Sequence, residues 1–122
     1  MDKLFQHCIY FLGINAPVRF EFRQRIWKGN AGVHWTTIKD NGEIKEHIIK
    51  VSSLQMYNGD NGRDFNSVVA HEFVHAWQAE YKPWRKKSHN KNFVDMASKL
   101  QKFLVNMGVE IGDIYIKEYD KS

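Results

Sequence analysis

Asp64-Phe65-Asn66-Ser67-Val68-Val69-Ala70-His71-Glu72-Phe73-Val74-His75-Ala76-Trp77-Gln78-Ala79-Glu80-Tyr81 is the stretch whose reading decides the fold. Asp64 and Asn66 are both residue types that cap a helix N-terminus. Pro83 cannot sit inside a helix, so the helix ends before it, at about Tyr81. Within it lies the pattern H-E-x-x-H. Residues four apart lie one turn apart on one side of a helix, so His71 and His75 can present two imidazoles to one ion. Glu72 is turned by about 100° from His71 and about 60° from His75. It therefore stands beside the ion without binding it, where a base can take a proton from an attacking water. Phe73, Ala76 and Trp77 supply the opposing apolar face.

Two imidazoles do not complete a catalytic zinc site, which takes three protein ligands plus water. His89 lies 14 positions after His75, past the Pro83 break, where the chain turns back. Asp95 lies 20 positions after His75, inside the next helix. His89 is the favoured third ligand. Asp95 is the runner-up, as a carboxylate ligand or as an acceptor that orients an imidazole. Glu80 faces another way on the motif helix. His7, His34 and His47 each stand alone in a predicted helix or strand and read as ordinary structural histidines, since ligands arrive in clusters.

Upstream of the motif helix, Leu4, Phe5, Cys8, Ile9, Phe11 and Leu12 recur at helical spacing over residues 2–12, and Gly13 follows as a stop. Val18, Phe20, Phe22 and Ile26 alternate with Arg19, Glu21, Arg23 and Arg25, which is strand patterning. Gly29-Asn30-Ala31-Gly32 reads as a turn, and Val33 to Lys39 as a second strand. Asp40-Asn41-Gly42 is a hairpin signal, and Glu43 to Ser52 is a third strand. Three strands joined by short turns predict an antiparallel meander. A last helix is expected over Asn92 to Asn106, with Phe93, Met96, Ala97, Leu100, Phe103 and Leu104 on one face and Gly108 at its end. Val109 to Tyr119 reads as a closing strand or an extended tail. The expected architecture is α+β: a small antiparallel sheet of about three strands packed with about three helices, with H-E-x-x-H on the second.

The chain of 122 residues fits a single domain over residues 1–122 and is 43% hydrophobic, which excludes global disorder. Its single cysteine, Cys8, excludes an internal disulfide framework. No secretory or membrane-spanning segment is visible, so a soluble, cytoplasmic protein is expected. The net charge of +4 is concentrated. Residues 82–102 carry Lys82, Arg85, Lys86, Lys87, Lys91, Lys99 and Lys102 against Asp95, an excess of six, which leaves −2 for the rest. Trp84 and Phe93 are interleaved with these cations. Trp84, Arg85, Lys86, Lys87 and Lys91 therefore form a candidate nucleic-acid contact, the cations meeting the backbone and Trp84 stacking on an exposed base of single-stranded or junction DNA. A solvated basic loop is the competing reading of the same residues.

His71-Glu72-Phe73-Val74-His75-Ala76 followed by His89-Asn90-Lys91-Asn92-Phe93 resembles the SprT-like (Spartan) metalloprotease domain. That family has H-E-x-x-H-A on one helix and a third zinc histidine in an H-G-x-x-F segment opening the next. The likeness extends over about residues 16 to 107, and Ile48 to Met56 resembles the strand and tail preceding the motif. It implies a zincin-like core, Zn²⁺ held by His71, His75 and His89, Glu72 as catalytic glutamate, and endopeptidase action on DNA-associated or DNA-crosslinked proteins. Asn90 stands where the family pattern has glycine. Neither a C-terminal zinc ribbon nor a long regulatory tail is present, so a catalytic core alone is expected, nucleoid-associated or, if phage-encoded, in the host cytoplasm. Two other classes fit the same residues: a peptidase that cleaves a regulatory protein with a carboxylate third ligand, and a non-enzymatic, zinc-stabilised nucleic-acid-binding domain.

Overall fold

Asp64 sets the start of the central helix. Its carboxylate accepts the Ser67 N–H at 2.7 Å, while Ser67 Oγ accepts the Asp64 N–H at 3.1 Å. Such a reciprocal cap is worth about 1 kcal/mol relative to alanine. In the computed structural model, which describes residues 2–23, 32–52, 64–83 and 87–115, the helices are α1 (Asp2–Leu12), α2 (Phe65–Tyr81) and α3 (Lys91–Asn106). The strands are β1 (Val18–Arg23), β2 (Gly32–Ile38) and β3 (Ile44–Ser52). The fold is α+β.

Helix α2 is buried without a break from Ser67 to Ala76, and again at Gln78. A helix covered on all sides must be central. The sheet lies on one flank of α2, through β2 and β3, and α1 and α3 pack on the others. The expected spacing on α1 puts Leu4, Cys8 and Leu12 into the core, and burial pushes the Cys8 thiol up to about 12. On α3 the core positions are Phe93, Ala97, Leu100 and Leu104, spaced four, three and four apart. Gly13 and Gly108, at φ +65° and +83°, end α1 and α3 in the left-handed region that disfavours side chains.

The sheet corrects the expected meander. Its order is β1-β3-β2, with β2 antiparallel to β3 but β1 parallel to it. The hairpin at Asp40-Asn41-Gly42 forms as predicted, with Gly42 at φ +88°. The first and second strands, however, do not pair. The reason is burial. Strand β3 carries Ile48, Ile49 and Val51, all buried, along with His47 and Ser52. Only a central strand is covered on both sides in this way. Strand β1, with Arg19, Glu21 and Arg23 on one face, suits an edge. It therefore crosses to the far side of β3, where the His47 N–H donates to Pro17 O at 2.8 Å. Of the expected turn Gly29-Asn30-Ala31-Gly32, Gly32 instead opens β2, while residues 29–31 and the extension of β1 to Ile26 lie outside the described residues.

Residues 109–115 form no strand. They run as an extended tail pinned by side chains. Asn66 Nδ2 donates to Glu110 O at 2.7 Å, and the Gly112 N–H donates to the Asp64 carboxylate at 2.8 Å. Gln101 donates to Gly112 O and accepts the Ile114 N–H, both at 2.9 Å. The Ile114 side chain is buried. Among the described residues no helix is long and apolar enough to cross a membrane.

Candidate metal centre

Three histidines, two from one helix and one from the bend before the next, meet in one place. His71 and His75 come from α2, one turn apart as the spacing requires. His89 comes from the bend just before α3, whose N-cap is the next residue, Asn90. His71 Nε2 lies 3.0 Å from His89 Nε2, and His75 Nε2 lies 3.1 Å from it. Among the described residues this is the group of side chains able to hold a metal ion together.

The partners of the rings decide what those nitrogens are. A carbonyl oxygen only accepts, so His71 Nδ1 donates to Ile114 O at 2.8 Å. Gln78 Nε2 donates to Ser88 O at 2.7 Å, which leaves Gln78 Oε1 to accept from His75 Nδ1 at 2.9 Å. In a neutral imidazole a protonated Nδ1 makes Nε2 a lone pair. The helical pair therefore aims two lone pairs at His89 Nε2, which as an N–H can donate to them and as a lone pair can join them on one cation. Three nitrogens about 2.0–2.1 Å from a tetrahedral ion stand about 3.3–3.4 Å apart, close to the spacing seen. The cluster fits a metal, and an all-imidazole set suits a borderline-soft divalent ion.

The surroundings hold this geometry. The Phe93 ring packs against all three imidazoles, with centroids 4.7 Å from His71, 4.6 Å from His75 and 4.9 Å from His89. Gln78 is fully buried and ties His75 to the backbone that carries His89. Asn90, which departs from the family glycine, accepts the Phe93 N–H at 3.1 Å and caps α3. It also accepts from Gln78 at 3.3 Å, so cap and ligand loop are one unit. Gln78→Leu, which keeps the bulk but frees the His75 ring, is expected to weaken metal affinity about 10–100-fold. A competition titration with a chromogenic chelator measures this.

Glu72 is buried, at 6% exposure, on the same wall. An open cleft of about 300 Å³ runs along it, bordered by Gly32, His34, Glu72, His75 and His89. The roof is β2, an edge strand. A Cβ on Gly32 would stand 2.7 Å from Val68 Cγ1 and 3.1 Å from Glu72 Oε2. Only glycine lets the strand approach the carboxylate this closely.

The other sequence-derived residues are placed as follows. Asp95 is half-exposed and pairs with Lys91 at 2.9 Å, outside the histidine cluster. The motif histidines are not the solvated side chains of a surface helix, because His71 and His75 are each less than a tenth exposed. Lys87 is exposed, two residues before His89. Trp84, Arg85 and Lys86 lie outside the described residues. His7 packs edge-on against Phe103. His34 and His47 are not isolated: His34 Nε2 and His47 Nδ1 are 2.9 Å apart, and His47 Nε2 donates to Glu80 at 2.7 Å.

Gln78, Gly32 and the Ile114 carbonyl went unread in the sequence. Gln78 was legible in principle, being three residues after His75 on the same helical face. Ile114 was not, because it contributes a backbone atom.

The SprT-like family model matches residues 3–113. That is most of the chain, so the chain belongs to the SprT-like family. No curated protein matches it.

Proposed function

We propose that this SprT-like chain is a zinc-dependent endopeptidase acting on extended segments of DNA-associated or DNA-crosslinked proteins. The observation that carries the reading is the convergence of three imidazole nitrogens beside the buried Glu72, beneath an edge strand. A purely structural metal site has no use for a carboxylate set in this cleft.

Zinc bound there would supply Lewis acidity, polarising the scissile carbonyl and acidifying water. The remaining work falls to the chain. His71, His75 and His89 hold the ion, and Ile114 O and Gln78 keep two of the rings in the ligating tautomer. Glu72 accepts the proton of the attacking water and passes it to the leaving amine. Among the described residues strand β2 pairs along one edge, with β3. Its other edge offers main-chain hydrogen bonds to a substrate strand laid along the cleft. Among the candidate edges it is β2 that lines the site.

The DNA part of the reading rests on the family resemblance and on the basic segment around His89. Its described cations Lys82, Lys87, Lys99 and Lys102 are exposed. Lys91 is tied to Asp95 in an exposed i,i+4 pair, a contact too weak to keep it from a phosphate. The test is proteolysis of a DNA-bound protein, with and without DNA, by wild type and Glu72→Gln. Cleavage by wild type alone that rises with DNA supports the full reading. Cleavage indifferent to DNA leaves a peptidase without the nucleic-acid partner.

Gly32 gives a second check. Gly32→Val must displace β2, the buried Val68 side chain or the Glu72 carboxylate. Displacements of about 1 Å at a reacting group can cost up to about 100-fold. The variant is expected to lose at least about tenfold in kcat while keeping one zinc per chain, measured by peptidase assay alongside metal analysis.

A further inference from the structure

The hydrogen bonds of the sheet decide which groups of β2 a substrate strand can meet. Successive residues of a strand turn their N–H and C=O to opposite sides. The His47 N–H donates to Pro17 O at 2.8 Å, so His47 faces β1, and Ile49 and Val51 face it too. Glu46, Ile48 and Lys50 therefore face β2, where their partners are Thr37, Trp35 and Val33. The backbone groups of those three partners are taken up by β3. Gly32, His34 and Thr36 turn theirs to the outer edge, beside which no other strand lies among the described residues. Side chains alternate between the two faces of the sheet. His34 lies on the α2 side, against His47, which reaches Glu80 of α2. Trp35 thus lies on the opposite face, and it is 55% exposed. Lys50 Nζ stands 4.4 Å from the centre of its ring, and Ile48, directly across on β3, is buried beside it. Trp35 also borders the cleft, with Gly32, Val33 and His34.

We propose that Trp35 is a specificity-determining residue of this site: a substrate strand bonded to the outer edge of β2 lays one side chain beside the indole, and that position takes a large apolar residue. The inference rests on the peptidase reading. In either direction the substrate strand bonds to the outward N–H and C=O groups of Gly32, His34 and Thr36. Its residue opposite Trp35 carries its side chain on the face of Trp35, because paired residues share a face. The residues before and after that one turn to the metal side. Main-chain bonds accept almost any sequence, so selectivity falls to the side chains that stand beside the substrate. Where β2 borders the cleft, the side chains on its outer face are those of Val33 and Trp35, and the indole is much the larger.

Lys50 prepares the indole for this contact. Its ammonium holds the ring by a cation–π interaction. A ring already held in place loses little freedom when a second side chain packs on it. A substrate leucine or phenylalanine gains apolar area there, whereas alanine or serine is too short to reach across the strand spacing.

The test uses the full zinc-loaded chain and a series of peptides that differ in one leucine or phenylalanine moved stepwise through an alanine and serine sequence. At one position relative to the cleaved bond, wild type should favour the large residue by about two- to fivefold in kcat/KM, the range of a single cross-strand pair. Trp35→Ala should erase that preference, leave any preference at the two adjacent positions unchanged, and keep zinc at one per chain. Trp35→Phe should retain it. Amide exchange gives a readout independent of turnover. In zinc-loaded Glu72→Gln protein the favoured peptide should slow exchange at His34 and Thr36 by at least about tenfold. The Val33 and Trp35 amides, already bonded to β3, should not change. A preference that survives Trp35→Ala overturns the proposal, as does one lost equally at adjacent positions, or protection that misses His34. A wild type that cleaves no peptide bond removes the peptidase reading itself, a result distinct from an active wild type with no preference that depends on Trp35.

Discussion

Glu72→Gln is expected to lower kcat by about 10²–10⁴-fold, the range for a lost general acid–base group, while zinc remains at one per chain. The substitution is nearly isosteric, so the buried pocket beside Gly32 stays filled and the packing of β2 on α2 is preserved. The chemistry is not preserved. The amide cannot accept the water proton, nor return it to the amine. Glu72 is not a member of the three-histidine cluster, so metal content should be untouched. The paired measurement decides the role: zinc by elemental analysis, turnover on an unfolded protein substrate. Loss of both would make Glu72 a ligand or a folding residue. Retention of turnover would leave the base to another group, and the assignment would fall.

Much of this was legible because it is local. The caps and stops of the helices depend on neighbours: Asp64 with Ser67, Pro83 after Tyr81, Gly108 after Asn106. The two motif histidines needed only the pitch of a helix. The sheet order was hidden because pairing is a competition among distant segments, and what decided it was the burial of both faces of Ile48–Val51. His34 and His47 look solitary because they stand 13 residues apart, yet antiparallel pairing of β2 with β3 brings them together. Glu80 could be read as facing away from the motif histidines, but not as the anchor of a second network. Ile114 O shows a further limit. Residue type says nothing about which backbone carbonyl will meet an imidazole, and only the pinning of 110–114 by Asp64, Asn66 and Gln101 brings it to His71.

His89→Ala should destabilise the chain strongly when zinc is supplied and little when it is not. With zinc at about a thousand times its dissociation constant, binding adds about 4 kcal/mol to the wild type. For a chain of this size that is a rise in Tm of roughly 12–16 °C. Losing one of three ligands should remove most of that rise and bring zinc well below one per chain. In chelator the effect should be small. Without an ion, a neutral His89 can donate its Nε2–H to the lone pairs 3.0–3.1 Å away. Alanine removes that shared hydrogen bond, which is worth about 1 kcal/mol. It also removes the contact of His89 with Phe93, 4.9 Å between centroids, but His89 is only partly buried, so little packing is lost. The chelated variant should therefore melt within a few degrees of the chelated wild type. Thermal melts of both proteins, with zinc and with chelator, test this in four curves. A variant that still binds one zinc per chain and keeps the full rise would remove His89 from the ligand set. A variant that melts several degrees or more further below wild type in chelator would make His89 a packing residue first.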